Sequence, residues 1–424
     1  MELISARYLI SCNHTDCIPF GAMVIDNGTI EAVGTKEELQ RRYPHIEKKT
    51  DFPDSLLMSG LVNAHCHLDR AGFYSRYSAD TSTAFSSTAW FIESLQYLGG
   101  TPINTISQMI HWATDRQMDL GTTCLGVMNH YEGTFPILKE KKIRAICFTE
   151  IFSAPNREAQ TRFEVALALL EKYNDPSERV KMGLGPFAPY VLSKNLLSII
   201  SHQARDEKLP LQIHVAETFA EMEFFFDSQG PIAKQIFPWL GWEQLPPPHQ
   251  KTPIQYLDEI HFFDAPLSLV GGYHLSDADF PRLARGLAKV IYCPTAQKRF
   301  QLGRFPYAKL REVGVPIALG TDLYSDADGF NLWAEMRLAL REGSDLQPSA
   351  MDVLKMATVG GSRALGLEDT IGSLEVGKQA DYLLVQAPSV SDDNPETLIR
   401  QLIEQTDSSH IQRVAIQGEI VRGK

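Results

Sequence analysis

The chain has 424 residues, 44% of them hydrophobic and 22% charged, the profile of a globular protein with room for one large or two smaller domains. A net charge of −12 argues against a surface built to hold nucleic acid, which needs a basic excess. The six cysteines are scattered with no Cys-x-x-Cys pair, which argues against a disulfide framework or a thiolate zinc site. No signal-peptide pattern opens the chain and no apolar run reaches membrane-spanning length, so the expected location is the cytoplasm.

Residues 1–56 read as short β segments (3–11, 22–26 and 29–33), with an Asn27-Gly28 hairpin turn between the second and third. The same pattern returns at residues 380–386 and 414–421. The two ends, 1–56 and 373–424, are therefore expected to build a small β-sandwich domain around a central insertion, 57–372. Within the insertion, eight short apolar runs (residues 55–62, 122–128, 143–151, 180–187, 210–217, 267–274, 289–294 and 315–322) alternate with helix-like stretches such as 162–173 and 350–365. Eight strand–helix units predict an α/β fold closed as a (β/α)8 TIM barrel. An open doubly wound sheet is the alternative, weakened because no Gly-x-Gly-x-x-Gly turn follows a strand.

Two stretches break the alternation. Residues 68–100 carry Phe73, Tyr74, Tyr77, Phe85, Trp90 and Phe91; residues 237–253 carry Trp239, Trp242 and Pro246-Pro-Pro-His-Gln. Long loops after barrel strands shape pockets, or else pack over the barrel or form an oligomer contact.

The chemistry gathers at the strand ends. Alternation along a strand sends His65 and His67 to one side and Cys66 to the other. His214 with Glu217, and Asp322, close two further runs. Singly, these are packed histidines or a helix N-cap. Together, three imidazoles and a carboxylate suit one divalent cation, Zn²⁺ or Fe²⁺, which lowers the pKa of a bound water. Asp322 would take a proton from that water, and Glu217, beside the metal, would shuttle protons to a leaving nitrogen.

These residues lie in motifs that resemble the amidohydrolase superfamily, in its branch of metal-dependent deaminases and chlorohydrolases, which includes guanine, S-adenosylhomocysteine and aminodeoxyfutalosine deaminases. The motifs are Gly60-Leu-Val-Asn-Ala-His-Cys-His-Leu, His214-Val-Ala-Glu-Thr, Tyr292-Cys-Pro-Thr, Leu319-Gly-Thr-Asp, Ala334-Glu-Met-Arg and Ile371-Gly-Ser-Leu-Glu-Val-Gly-Lys-Gln-Ala-Asp. The stretch from Glu221 to Phe226 and Thr252-Pro-Ile-Gln-Tyr-Leu add a fainter likeness to bacterial aminodeoxyfutalosine deaminases. The resemblance implies a barrel enzyme with His65, His67, His214 and Asp322 on one zinc or iron ion, Glu217 as proton shuttle, and a homodimer. A two-metal site is not expected, because Phe187 rather than lysine ends the fourth strand.

The departures fall around the substrate. Relatives end the sixth strand with a histidine that contacts the attacking hydroxide; here that place aligns with Gly271, and His274 is the candidate replacement. Phe187 stands where relatives carry a substrate-binding histidine, Ala296-Gln297 replaces Ser-Asn, and Leu-Tyr-Ser-Asp follows Asp322. Glu217, Asp322 and His274 are thus the expected catalytic residues, and Phe187, Trp90 and Gln297 the expected substrate contacts. The expected activity is hydrolytic deamination of an amino-substituted heterocycle: a purine, pyrimidine or pterin base or nucleoside. The alternatives are amide or C–Cl hydrolysis of a ring substrate, or a catalytically weak metal-binding relative that serves as a binding protein. A small heterocyclic molecule, and neither nucleic acid nor membrane, is the expected partner.

Overall fold

The structure, a computed structural model, describes residues 1–13, 17–73, 86–152, 156–173, 175, 178–322, 329–341, 345–389 and 394–423, with the backbone alone at 156–159. Five strands come first: β1 (Glu2–Ile10), β2 (Cys17–Pro19), β3 (Gly21–Asp26), β4 (Thr29–Thr35) and β5 (Lys49–Ser59). Eight more follow: β6 (Leu61–Cys66), β7 (Thr122–Asn129), β8 (Arg144–Ile151), β9 (Val180–Pro186), β10 (Leu211–Val215), β11 (Leu267–Gly271), β12 (Lys289–Tyr292) and β13 (Ile317–Leu319). The last three are β14 (Tyr382–Gln386), β15 (Ile411–Ile416) and β16 (Glu419–Gly423).

Strands β6 to β13 form one parallel sheet in sequence order. Its two edges meet where the His65 carbonyl accepts the amides of Thr321 and Asp322 at 3.0 and 2.9 Å. This is the expected (β/α)8 barrel. Helices cover its outer face, so β7 and β8 are buried along their whole length, which is why they read as continuous apolar runs rather than alternating ones. The helix Lys194–Asp206 illustrates the covering layer: Leu196, Leu197, Ile200 and Ala204 are buried at helical spacing, and Ser193 Oγ caps the start by accepting the Leu196 amide. No helix among the described residues is long and apolar enough to cross a membrane.

The first five strands and the last three share a second sheet in the order β16-β15-β14-β5-β1-β3-β4, with β2 on β1. Only β1 and β5 run parallel. The Asn27-Gly28 turn joins β3 and β4 as the sequence leads one to expect. Strands from both ends of the chain contribute Ile4, Met23, Leu57, Tyr382 and Ala415 to one apolar cluster.

Several elements differ in extent from their sequence reading. The sixth barrel strand stops at Gly271, because Gly271 and Gly272 take φ +104° and +68° and turn the chain away. The eighth barrel strand is only Ile317–Leu319; Pro316 before it has no N–H to give the ladder, although its carbonyl accepts the Val290 amide. The expected helix 350–365 widens at Met356–Gly360 into a π-helical turn. There it presses against the barrel: a Cβ on Gly360 would lie 2.4 Å from the Ile317 carbonyl oxygen, and one on Gly361 2.7 Å from that of Val62.

A buried ion pair ties the sheets together. Arg144 on β8 donates to both carboxylate oxygens of Asp381 at 2.9 and 3.1 Å, and Asp381 also accepts the Gln417 amide. Removing one partner of such a pair leaves the other charge buried and alone. Asp381→Ala is expected to cost about 3–5 kcal/mol, read as a lower urea midpoint; a loss under about 1 kcal/mol would mean the pair is effectively solvated.

Candidate active site

His65 and His67 sit at the end of β6, His214 on β10, and Asp322 just past β13. One ligand-type atom from each lies within 4.8 Å of the others, and all four residues are buried. His65 Nε2 is 3.1 Å from His214 Nε2 and 3.3 Å from Asp322 Oδ1; His67 Nε2 is 3.5 Å from that same oxygen. Cys66 points the other way, its thiol toward the Gly126 carbonyl.

The outer ring nitrogens decide what the inner ones carry. His65 Nδ1 donates to Gln212 Oε1 at 2.6 Å, and the Gln212 amide nitrogen donates to the Ala64 carbonyl, which fixes the orientation of the amide. His214 Nδ1 donates to the Phe187 carbonyl at 3.0 Å. Both rings therefore direct Nε2 lone pairs at each other and at a carboxylate oxygen. Burial pushes His214 down to about 4, with His65 adding to the effect, so its ring is neutral at pH 7. Burial, then Arg70, depresses His67 in the same direction. His67 Nε2 and Asp322 Oδ1 have no hydrogen bond among the described residues. The buried acceptors that converge here, Nε2 of His65 and His214 and Oδ1 of Asp322, are satisfied by a cation, and two imidazole nitrogens with a carboxylate oxygen, joined by His67 once its Nε2 is free of its proton, are a donor set for a borderline-soft divalent ion.

His67 is held differently. Arg70 donates to its Nδ1 at 2.7 Å, and a guanidinium has no acceptor to offer in return. For Nε2 to ligate, His67 must give up its ring proton or Arg70 must withdraw. Arg70 also makes a bidentate pair with Glu150 at 2.8 and 2.9 Å. Burial alone would raise Glu150, but Arg70 and His130 beside it bring the carboxyl down to about 2. Asp69 completes the cluster by accepting the His130 and Tyr131 amides at 2.8 and 3.1 Å.

Glu217 follows β10 on a turn that contains Ala216 at φ +50°, a left-handed conformation costly for alanine. Backbone bonds pin that turn: the Ala216 carbonyl accepts the His274 amide at 2.9 Å, and the Glu217 amide donates to Glu221 Oε2 at 3.0 Å. Glu217 is held well above the usual carboxylate range by burial, then by Asp322 and Glu221. Burial likewise lifts Glu221 to about 7.

A cavity of about 20 Å³ lies against His214, Glu217 and Asp322, walled by Trp90, Phe91, Phe187, Tyr190 and Phe300 and bordered by Ser87, Thr218 and Glu221. It has room for about one water molecule. Phe187 lies 4.8 Å from the His214 ring and Trp90 6.0 Å from that of His67. Of the expected substrate contacts, Phe187 and Trp90 reach this cavity and Gln297 does not. Gln297 accepts from the Tyr292 hydroxyl, donates to the Gly303 carbonyl, and lines a separate cavity of about 340 Å³ with Lys298 and Gln301. The His274 ring is also absent from the cavity lining; it lies 6.3 Å from the Phe219 ring, and only its backbone amide serves the turn before Glu217. Tyr74, Tyr77, Phe85 and the Leu-Tyr-Ser-Asp after Asp322 lie outside the described residues. Gln212, Arg70, Glu150, Glu221 and Tyr190 were not assigned roles from sequence. Gln212 alone had a local signal, two residues before His214 on the same strand face.

Gln212→Leu removes the acceptor of His65 Nδ1–H. Loss of such a partner is expected to weaken divalent-metal binding by about 10–100-fold in chelator competition, with an unchanged circular dichroism spectrum; unaltered metal affinity would show that Gln212 does not orient the ring.

The comparisons with known proteins agree with this geometry. A family model for the amidohydrolase family matches residues 247–421, and one for a bacterial imidazolonepropionase-like composite domain matches residues 21–45. A 5-methylthioadenosine/S-adenosylhomocysteine deaminase of Caldanaerobacter subterraneus is 27% identical over 383 residues, covering 88% of this chain and 82% of the relative. An aminofutalosine deaminase of Helicobacter pylori in complex with methylthio-coformycin superposes with a TM-score of 0.86 at 22% identity, over 100% of both chains. An adenosine deaminase of Xanthomonas campestris with bound zinc gives 0.83 at 23% identity, over 99% of this chain and 92% of the other. On its motifs, its barrel and these relatives, the chain is similar over most of its length to metal-dependent deaminases, and residues 247–421 match the amidohydrolase family.

Proposed function

We propose that this protein hydrolytically deaminates an amino-substituted heterocycle, with adenine-type nucleosides as the first class to test. The observation that carries the reading is the pairing of a convergent set of buried acceptors with a buried Glu217, its carboxyl held well above the usual range, on the same cavity. His65, His67, His214 and Asp322 would hold one divalent cation, zinc in the first instance and iron as the alternative. Bound there, it supplies Lewis acidity and brings the pKa of a water toward neutrality. The names of the deaminase relatives and the zinc in the Xanthomonas protein support both choices.

The chain's own residues then divide the proton work. Water adds its oxygen to the ring carbon that bears the amine, and Asp322 takes one of its protons. Glu217, its carboxyl raised by burial, gives its proton to the adjacent ring nitrogen. As the adduct collapses, Glu217 collects the proton of the new hydroxyl and passes it to the departing amine, which leaves as ammonia. The proton on Asp322 resets Glu217. Phe187 and Trp90 supply flat apolar faces for the ring. Gly271, which leaves the sixth strand without a side chain at the site, favours a second reading, a metal-binding relative with little turnover.

An ammonia-release screen over adenosine, 5-methylthioadenosine, S-adenosylhomocysteine, guanine, cytosine, pterin and triazine compounds separates the two. The deaminase reading expects ammonia from at least one member. It also expects Glu217→Gln to keep its metal and lose about 10²–10⁴ in kcat. Because Glu217 acts as an acid, activity should fall as pH rises through its raised pKa. Full turnover in Glu217→Gln would remove it from the mechanism, and metal without ammonia would favour the second reading.

A further inference from the structure

Addition of water to a ring carbon turns a flat centre tetrahedral, and its collapse builds negative charge on the oxygen as the hydroxyl proton leaves; a water-poor site needs a fixed donor for that charge. Strand β11 cannot supply one. A Cβ on Gly271 would lie 3.0 Å from Glu217 Cβ and 3.2 Å from Glu217 Cα, so a side chain there would displace the turn that carries Glu217. His274, three residues on, faces Phe219.

The side-chain donors that border the cavity are Ser87, Trp90, Tyr190 and Thr218. Thr218 Oγ1 caps the helix Phe219–Asp227 by accepting the Glu221 amide at 3.1 Å. Trp90 stands with its ring 6.0 Å from that of His67 and 5.8 Å from the Arg70 guanidinium. Ser87 is the first residue of the helix Ser87–Gly100. Tyr190 comes from the short turn Pro189–Val191 after β9, and its hydroxyl makes no hydrogen bond to any described residue. Burial, with Glu221 and Glu217 close by, holds the phenol well above its ordinary value of 10, so it remains a donor at every working pH.

We propose that Tyr190 is a further catalytic residue: its hydroxyl, on the cavity shared with Glu217, His214 and Asp322, donates a hydrogen bond to the oxygen of the tetrahedral adduct. This rests on the deaminase reading above. The proton stays on Tyr190, so the hydroxyl acts by stabilising charge and adds no step to the proton balance. It occupies the role that the close approach of Gly271 to Glu217 denies to the sixth strand.

The test compares wild type with Tyr190→Phe, which keeps the ring and its packing, on whichever compound of the screen the wild type deaminates. Expected is a fall in kcat of about 10²–10³ with KM and bound metal unchanged. Affinity for a coformycin-type nucleoside, whose tetrahedral carbon carries a hydroxyl, should fall by a similar factor in calorimetry, while affinity for the deaminated product holds. An unchanged kcat, or a rise in KM alone, overturns the assignment of Tyr190 and leaves the deaminase reading standing. No ammonia from the wild type on any compound overturns that reading, and this proposal with it.

Discussion

Acceptors buried face to face are the constraint on which this molecule turns. Two imidazole lone pairs 3.1 Å apart, with a carboxylate oxygen 3.3 Å from one of them, repel unless positive charge stands among them. The barrel is built around that demand. Its sheet closes through the carbonyl of His65 and the amides of Thr321 and Asp322, so the hydrogen bonds that join first strand to last are the ones that set two ligand-type residues beside each other. The hydrogen bonds that close the barrel therefore also position the site.

Around this centre each polar group answers another. Gln212 and the Phe187 carbonyl choose the tautomers of His65 and His214, and Arg70 with Glu150 locks His67 between β6 and β8. Water exclusion by Trp90, Phe91, Phe187 and Phe300 strengthens every one of these contacts and raises the Glu217 carboxyl. The left-handed turn at Ala216, held by amides from the next strand's loop and by Glu221, stores local strain where the proton donor is positioned.

Much of this was legible in the sequence, and the reasons differ from residue to residue. His65, His67 and His214 could be read because strand alternation is a local rule, and it also puts Gln212 on the His214 face. Arg70 and Glu150 could not be paired in advance: they are 80 residues apart, and a charge reads as a surface group until the fold buries it. His274 drew attention through its place in a motif, yet two glycines end the strand before it and turn the side chain away. Gln297 lines a separate cavity for a related reason. Its slot in the motif suggested a ligand contact, but its amide is engaged by Tyr292 and Gly303. The eight-strand alternation survived because burial on both faces leaves a signal that short strands such as Ile317–Leu319 weaken without erasing.

The central claim is that His65, His67, His214 and Asp322 together hold one divalent ion. The direct measurement is elemental analysis of the purified chain, after reconstitution with zinc or iron, beside an Asp322→Asn and His214→Ala double variant. The account predicts about one ion per chain in the wild type and a large loss in the variant at equal folding. A wild type that takes up no metal, or a variant that keeps it, would contradict the claim.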